Sequence, residues 1–422
     1  MAIKKTNTFR AFRNRNYTLY FAGQGFSQIG TWMQRTSVSW VVYTITHSTL
    51  MLGLTVFASQ FPSFLFSLLG GIASDRYNRY KILFITQSAA MVQAVLLAIL
   101  IFTNHYAVWE ILALSVILGI INAFDTPARQ PLVHEMVGDK ADLPNALALT
   151  SSMNNLARLI GPALSGIVLV KFGAGICFLL NAASFVTMII ALALMKVPPY
   201  KPSPLKTKVK AELVEGFTYL KSTPPIRMMI LVLILVSFLV LPYNTLFPVF
   251  AKVVFKGDAA TFGYISSFVG LGALAGTFYL ASLKPGTDLK VIMLINTIIL
   301  GICLVFFSYI VSFPLAMVFA TVTGFATVCL TTICITTIQV ESGPHMRGRM
   351  ISYVAMAYFG MLPVGSLLIG VISKHVGAPA TILWQGILAV IIAAIFFKFL
   401  SKDKPNKTTT GQLEEVEELV TE

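Results

Sequence analysis

Blocks of apolar residues about 20 long recur down almost the whole chain, the length a helix needs to cross a hydrocarbon core of about 30 Å. They fall at 18–45, 50–73, 82–103, 108–128, 144–170, 174–195, 226–250, 260–282, 289–308, 313–339, 350–373 and 378–399. Short polar stretches separate them, and none could form a soluble domain of useful size. The pattern predicts an all-α membrane protein with twelve transmembrane helices.

Polar residues inside the first block follow a helical period. The stretch GQGFSQIGTWMQRTSVSW, Gly23 to Trp40, carries Gln24, Gln28, Thr31 or Trp32, Arg35 and Ser39 along one helix face. A charge deep in a membrane is costly unless it faces the protein interior or water. The stripe is therefore expected to look into a central cavity, with Arg35 in the outer half of the span. Helical spacing also groups Asn122, Asp125 and Arg129 in the fourth block, and Asn154, Asn155 and Arg158 in the fifth. Tyr243 and Asn244 lie between Pro242 and Pro248 in the seventh block, where interrupted backbone bonding suits a gate. The tenth is dense in Thr from Thr321 to Thr337. The candidate substrate route comprises Gln24, Gln28, Trp32, Arg35, Asn122, Asn154, Arg158, Tyr243 and Asn244. A helix-to-helix hydrogen bond competes with substrate contact for any single Asn or Thr. Pairing with Asp125 is the competing role for Arg158.

Composition agrees with a membrane protein: 56% of the 422 residues are hydrophobic and 11% charged, where soluble chains carry about a quarter charged. The formal charge of +14 is distributed by topology. With a cytoplasmic N-terminus, 25 of the 31 Lys and Arg fall in inner segments and four in outer loops, as the positive-inside rule requires. Both termini are expected in the cytoplasm, in the inner membrane of a bacterium. The basic excess implies attraction to anionic lipid and calls for no nucleic-acid partner.

The Pro- and Lys-rich stretch 196–225 divides the chain nearly in half. The expected organisation is a tail (1–17), a six-helix bundle (18–195), a cytoplasmic linker (196–225), a second six-helix bundle (226–400) and an acidic tail (401–422). Weak repeats support two pseudo-symmetric halves, since GIVLVKFGA at 166–174 aligns with GVISKHVGA at 370–378, pairing Gly166 with Gly370 and Gly173 with Gly377. A looser match joins 52–60 with 262–270. One chain supplies both halves, so a monomer is expected.

Between the second and third blocks lies GGIASDRYNRYK, 70–81, with Gly71, Asp75, Arg76 and Arg79 in the order Gly-x-x-x-Asp-Arg-x-x-Arg. It resembles the loop signature of the major facilitator superfamily. Asp75 is placed to accept from Arg76 or Arg79, in pairs that break and re-form as the halves rock. In the fifth block, ARLIGPALSG resembles the helix-five motif of antiporter branches, with Gly161, Pro162 and Gly166 making a bend that packs against a neighbour.

The N-terminal half as a whole is similar to the bacterial exporter family that includes enterobactin exporters and macrolide efflux pumps. The likeness rests on FRAFRNRNYTLYFAGQGFSQIGTWMQ, GGIASDRYNR, NAFDTPARQPLV and NALALTSSMNNLARLIGPALSG, and covers most of residues 9–195. The second half shows only a degenerate loop at 282–290 and the segment 346–370. The resemblance implies the major facilitator fold, a cavity lined by the first, fourth, seventh and tenth helices, and efflux driven by a proton gradient without ATP.

No phosphate-cradling loop, metal spacing or catalytic constellation is present, so neither an enzyme nor a metal or organic cofactor is expected. Arg35 and Arg158 lie deep in spans with no mid-membrane carboxylate, which suits an anionic, hydrogen-bond-rich small molecule such as a catecholate siderophore. Proton-coupling candidates are Asp125, Glu135 and Glu341, a salt bridge to Arg129 competing for the first. A lysophospholipid flippase of the same fold is the alternative; an importer or channel is less favoured.

Overall fold

Every predicted span is helical in the computed structural model, which describes residues 9–104, 107–137, 140–196, 209–284, 286–343 and 345–400. The expectations for the tail 401–422, the first eight residues and the linker at 197–208 lie outside the described residues. The helices are α1 (Arg15–Thr46), α2 (Thr49–Arg76), α3 (Arg79–Phe102), α4 (Val108–Met136), α5 (Leu143–Phe172) and α6 (Ala174–Leu194), then the short α7 (Val209–Ser222). They continue as α8 (Pro224–Val254), α9 (Ala259–Ala281), α10 (Leu289–Tyr309), α11 (Phe313–Glu341), α12 (Arg347–Val376) and α13 (Ala378–Leu400). In hydrocarbon a helix satisfies its own backbone groups, so length and apolarity suffice to set this class. Eleven of the described helices are long and apolar enough to span a membrane. The exception is α1: its 32 residues reach about 48 Å, but the polar stripe lowers its hydropathy.

Several boundaries differ from the sequence reading. α4 continues to Met136, eight residues past the expected end, because Ala128, Leu132, Val133 and Met136 pack into a cluster with Ala11, Tyr17 and Tyr20. The linker contains the helix α7, docked on α12 through a Glu215–Arg349 ion pair of 2.6 Å. The seventh span is not one regular helix. Pro242 and Pro248 each remove a backbone donor, and the chain passes through π turns at Val236–Val240 and Phe250–Val254 on either side of a 3-10 turn at Leu241–Leu246. A further π turn, Met356–Gly360, interrupts α12.

The glycines of the internal repeats occupy equivalent places. Gly173 and Gly377 end α5 and α12 at φ of +81° and +85°, and their N–H groups donate to Leu169 and Ser373. Only glycine takes that left-handed turn without steric cost. Where α5 meets α9, a Cβ on Gly166 would stand 2.8 Å from the Ala260 Cα, and one on Gly263 would stand 3.0 Å from the Gly166 Cα. Where α2 meets α12, a Cβ on Gly53 would stand 2.5 Å from the Ser366 carbonyl, and one on Gly370 would stand 3.2 Å from the Gly53 Cα. The two halves thus meet at two related crossings built from small residues. The looser match of 52–60 with 262–270 has its physical basis here.

The interiors of the two halves differ. Buried apolar residues of α8–α13 form one large cluster that also takes in Trp40, Tyr43 and Leu52. Those of α1–α6 form three small ones. Buried polar groups, Gln34, Gln87, Gln93, Asp125 and Asn181, separate them.

Candidate functional site

A cavity of about 1840 Å³ lies between the halves, larger than the 300–1,000 Å³ or so of most small-molecule pockets. It extends to the end that carries the basic loops, where Asp75, His134 and Arg349 line it. At the opposite end the two glycine crossings close the space, reinforced by Thr49, whose hydroxyl donates to the Gly370 carbonyl over 2.9 Å.

The stripe on α1 faces this cavity, which Gln24, Gln28, Thr31, Trp32, Arg35 and Ser39 all line. Arg35 lies over the Trp32 ring at 4.8 Å and Arg158, from α5, at 5.7 Å, distances at which a cation is attracted to an aromatic face. Neither guanidinium has a carboxylate partner among the described residues. Trp32 is seated by Gly161, where a Cβ would fall 2.5 Å from the Trp32 Cβ. Asn154 also lines the wall and accepts from Gln28 over 3.1 Å; Asn122 and Asn244 lie on it as well.

Below this cationic pair, toward the basic end, the Asp125 carboxylate accepts from Arg129, from the Thr86 hydroxyl at 2.8 Å and from Gln87 at 2.8 Å. Arg129 also donates to Gln24, tying α1, α3 and α4 together. Arg158 therefore does not pair with Asp125; the i,i+4 geometry of α4 gives that carboxylate to Arg129. Of the three carboxylates singled out as proton sites, Asp125 lines the cavity. Glu135 is engaged by Arg79, and Glu341 by Lys290 at 2.7 Å.

Other expectations are corrected by packing. Tyr243 stands behind the wall, fully buried and 3.3 Å from the Thr327 hydroxyl, because the 3-10 turn rotates it away. Asn155 bonds Thr277 across the α5–α9 crossing at 3.1 Å. The Thr-rich α11 gives the cavity only Thr327 and Gln339. Thr321, Thr323 and Thr331 instead return their hydroxyls to their own helix backbone. Besides α1, α4 and α8, the wall draws heavily on α2, α5 and α12. Around Pro162, α5 remains one continuous helix. What the motif supplies is close approach, Gly161 to α1 and Gly166 to α9.

The loop after α2 places Arg79 3.7 Å from Asp75 and against Glu135, joining the α2–α3 turn to the end of α4. Gly71 lines the cavity above it, and Arg76 closes α2. The degenerate loop of the second half keeps the counterpart, since Lys290 and Glu341 join the start of α10 to the end of α11. Exposed ion pairs are individually weak, so they suit contacts that form and break in a cycle. Asp75→Asn is expected to slow turnover severalfold with substrate affinity unchanged, measured by transport and equilibrium binding in parallel. Equal turnover would remove Asp75 from the cycle.

Two features escaped the sequence reading. Gln34, Gln93 and Asn181 form a buried amide chain, with Asn181 donating to Gln34 at 2.7 Å and Gln34 to Gln93 at 3.0 Å. The aromatic side chains Phe247, Phe262, Tyr358 and Phe359 line the cavity opposite the arginines. Lone Gln or Phe residues inside apolar blocks give no positional signal until the helices are packed.

The sequence profile of the transmembrane secretion effector family covers residues 6–420. A staphyloferrin A transporter of Staphylococcus aureus is 26% identical, over 90% of this chain and 95% of the other. The multidrug efflux pump Tap of Mycolicibacterium fortuitum is 24% identical, over 84% and 88%. The enterobactin exporter EntS of Escherichia coli is 24% identical, over 73% of each. Among solved structures, the nucleoside transporter NupG superposes with a TM-score of 0.74 at 13% identity, covering 90% of this chain and 99% of its own. A bacterial homologue of the human lysosomal transporter Spinster, captured inward-facing, superposes at 0.71 with 16% identity, covering 91% and 96%.

Proposed function

Because the chain belongs to the transmembrane secretion effector family of the major facilitator superfamily and is an efflux-type membrane transporter rather than an enzyme, we propose that it exports an anionic or polar amphipathic small molecule in exchange for protons. The observation that carries this reading is the pair Arg35 and Arg158, flanking Trp32 in the cavity with no carboxylate beside them. Two uncompensated guanidiniums in a membrane are unfavourable next to each other. An anion between them relieves both costs, and a guanidinium presents a planar fork of donors to carboxylate, phosphate or catecholate oxygens. A lipophilic cation would meet repulsion.

The basic end faces the cytoplasm of a bacterium in this reading, with both termini on that side and one chain acting alone in contact with anionic membrane lipid. Substrate enters the open cavity, reaches Arg35 and Arg158, and the halves rock about the glycine crossings so that the opposite end opens. Asp125 is the coupling carboxylate: a proton taken there weakens its hold on Arg129, which also reaches Gln24 on α1. Protonation and the position of the stripe helix are thereby linked.

The test is quenching of a proton gradient in inside-out vesicles containing the purified protein, with a catecholate siderophore, a macrolide and a lysophospholipid added in turn. One anionic compound is expected to dissipate the gradient, and Asp125→Asn to abolish the response while binding persists. Movement of labelled compound with no change in the gradient would overturn proton coupling. Movement of lysophospholipid alone would mark a lipid flippase.

A further inference from the structure

The charged groups of the cavity are unevenly shared between the halves. Arg35, Asp75, Asp125, Arg129, His134 and Arg158 all belong to α1–α6, whereas α8–α13 contribute only Arg349 among charged side chains, and Arg349 is paired with Glu215 near the mouth. What the second half presents instead is Phe247, Phe262, Tyr358 and Phe359. Tyr358 and Arg35 line the same cavity from different halves.

The backbone of the second half is shaped to present these rings. Tyr358 and Phe359 occupy the π turn Met356–Gly360, their rings 5.1 Å apart and nearly perpendicular. One extra residue in a turn rotates the following face by about 100°, and such π turns occur frequently at functional sites. At the end of the π turn, Gly360 lies against the Phe64 ring of α2, where a Cβ would stand 2.9 Å away. Phe262 is held by stacking on Trp40 at 6.1 Å and 17°. Among the described residues π turns occur only in α8 and α12, and both helices line the cavity.

We propose that Tyr358, beside Phe359, is a specificity-determining residue that binds an aromatic ring of the exported anion while Arg35 and Arg158 hold its acidic group. The inference rests on the anionic reading above and adds the class of substrate, an aryl acid that bridges the two halves. A ring seated on one half and an anion on the other give the substrate contacts to both, so its presence bears on their relative position. A charged substrate without a ring would engage the first half alone.

The experiment compares benzoate with cyclohexanecarboxylate, probes of equal charge and closely similar size, one aromatic and one saturated. Binding to the purified full-length protein is measured by calorimetry for the wild type and for Tyr358→Leu, Tyr358→Phe and Arg35→Ala. The wild type is expected to prefer benzoate by about three- to tenfold, the range an aromatic pair contributes beyond buried area. Tyr358→Leu is expected to erase the preference and Tyr358→Phe to keep it, while Arg35→Ala lowers binding of both probes. Equal loss of both probes in Tyr358→Leu, or no preference in the wild type, overturns the proposal and leaves the anionic reading standing. Binding of both probes that ignores Arg35 overturns the anionic reading itself, and the bridging proposal with it.

Discussion

Arg35→Ala is expected to lower substrate binding and export by about ten- to a hundredfold, the size of a lost hydrogen bond to a charged group. The reason is geometric. Arg35 lines the cavity, lies over Trp32 at 4.8 Å and has no carboxylate to neutralise it, so its donors are available to an anion. Arg158→Ala should cost less, since its guanidinium is farther from the ring at 5.7 Å. Arg35→Lys keeps the charge without the planar fork and should recover only part of the affinity. Thermal stability in detergent separates function from folding. Removing one of two neighbouring like charges relieves repulsion, so the melting temperature of Arg35→Ala should hold or rise. A variant that melts early would place Arg35 in the framework, and one that transports normally would remove it from the route.

Gly166→Val is expected to reduce transport at least tenfold by preventing closure of the end opposite the basic loops. A Cβ at that position already meets the Ala260 Cα at 2.8 Å and the Ala259 carbonyl at 2.9 Å. These are backbone atoms on a packed helix, which cannot swing aside as a side-chain tip would. Overpacking of this kind costs about 1–3 kcal/mol, enough to shift an equilibrium between two arrangements by tenfold or more. Gly53→Val at the related crossing of α2 and α12 should act the same way. The measurement is labelling of Ser39→Cys by a membrane-impermeant thiol reagent added from the side opposite the basic loops. The native Cys177, Cys303, Cys329 and Cys334 are buried and contribute little background. Labelling should be faster in Gly166→Val than in Ser39→Cys alone. Unchanged labelling with normal transport would show that the crossing tolerates bulk and does not act as a seal.

Much of the architecture was legible in the chain because the physics that sets it is local. Apolar blocks of about 20 residues become helices in hydrocarbon whatever their neighbours do. The period of the polar positions from Gln24 to Ser39 was sufficient to predict the cavity-facing side of α1, and the structure places that stripe on the wall. The matched glycines 166 and 370, 173 and 377 foreshadowed the repeated helix crossings and helix ends, since the need for a small residue or a left-handed turn is written at the position itself.

Partner choice was not legible in that way. Asp125 had Arg129 one turn away and Arg158 on another helix, and only packing showed that the near one takes it while Arg158 turns to Trp32. Tyr243 lay between two prolines that marked an irregular segment, but the resulting 3-10 turn buried the side chain the sequence had placed on the route. Nothing in a run of apolar and aromatic residues such as YVAMAYFG, 353–360, distinguishes a lipid-facing ring from one in a cavity, and Tyr358 was brought to the wall by a π turn that carries no Pro. The sequence by itself therefore determined the helices, their apolar extent and the polar face of α1, because each depends on the residues of one segment. The tertiary structure alone decided which charges pair, which rings line the cavity and which end is closed, because those depend on distances between segments far apart in the chain.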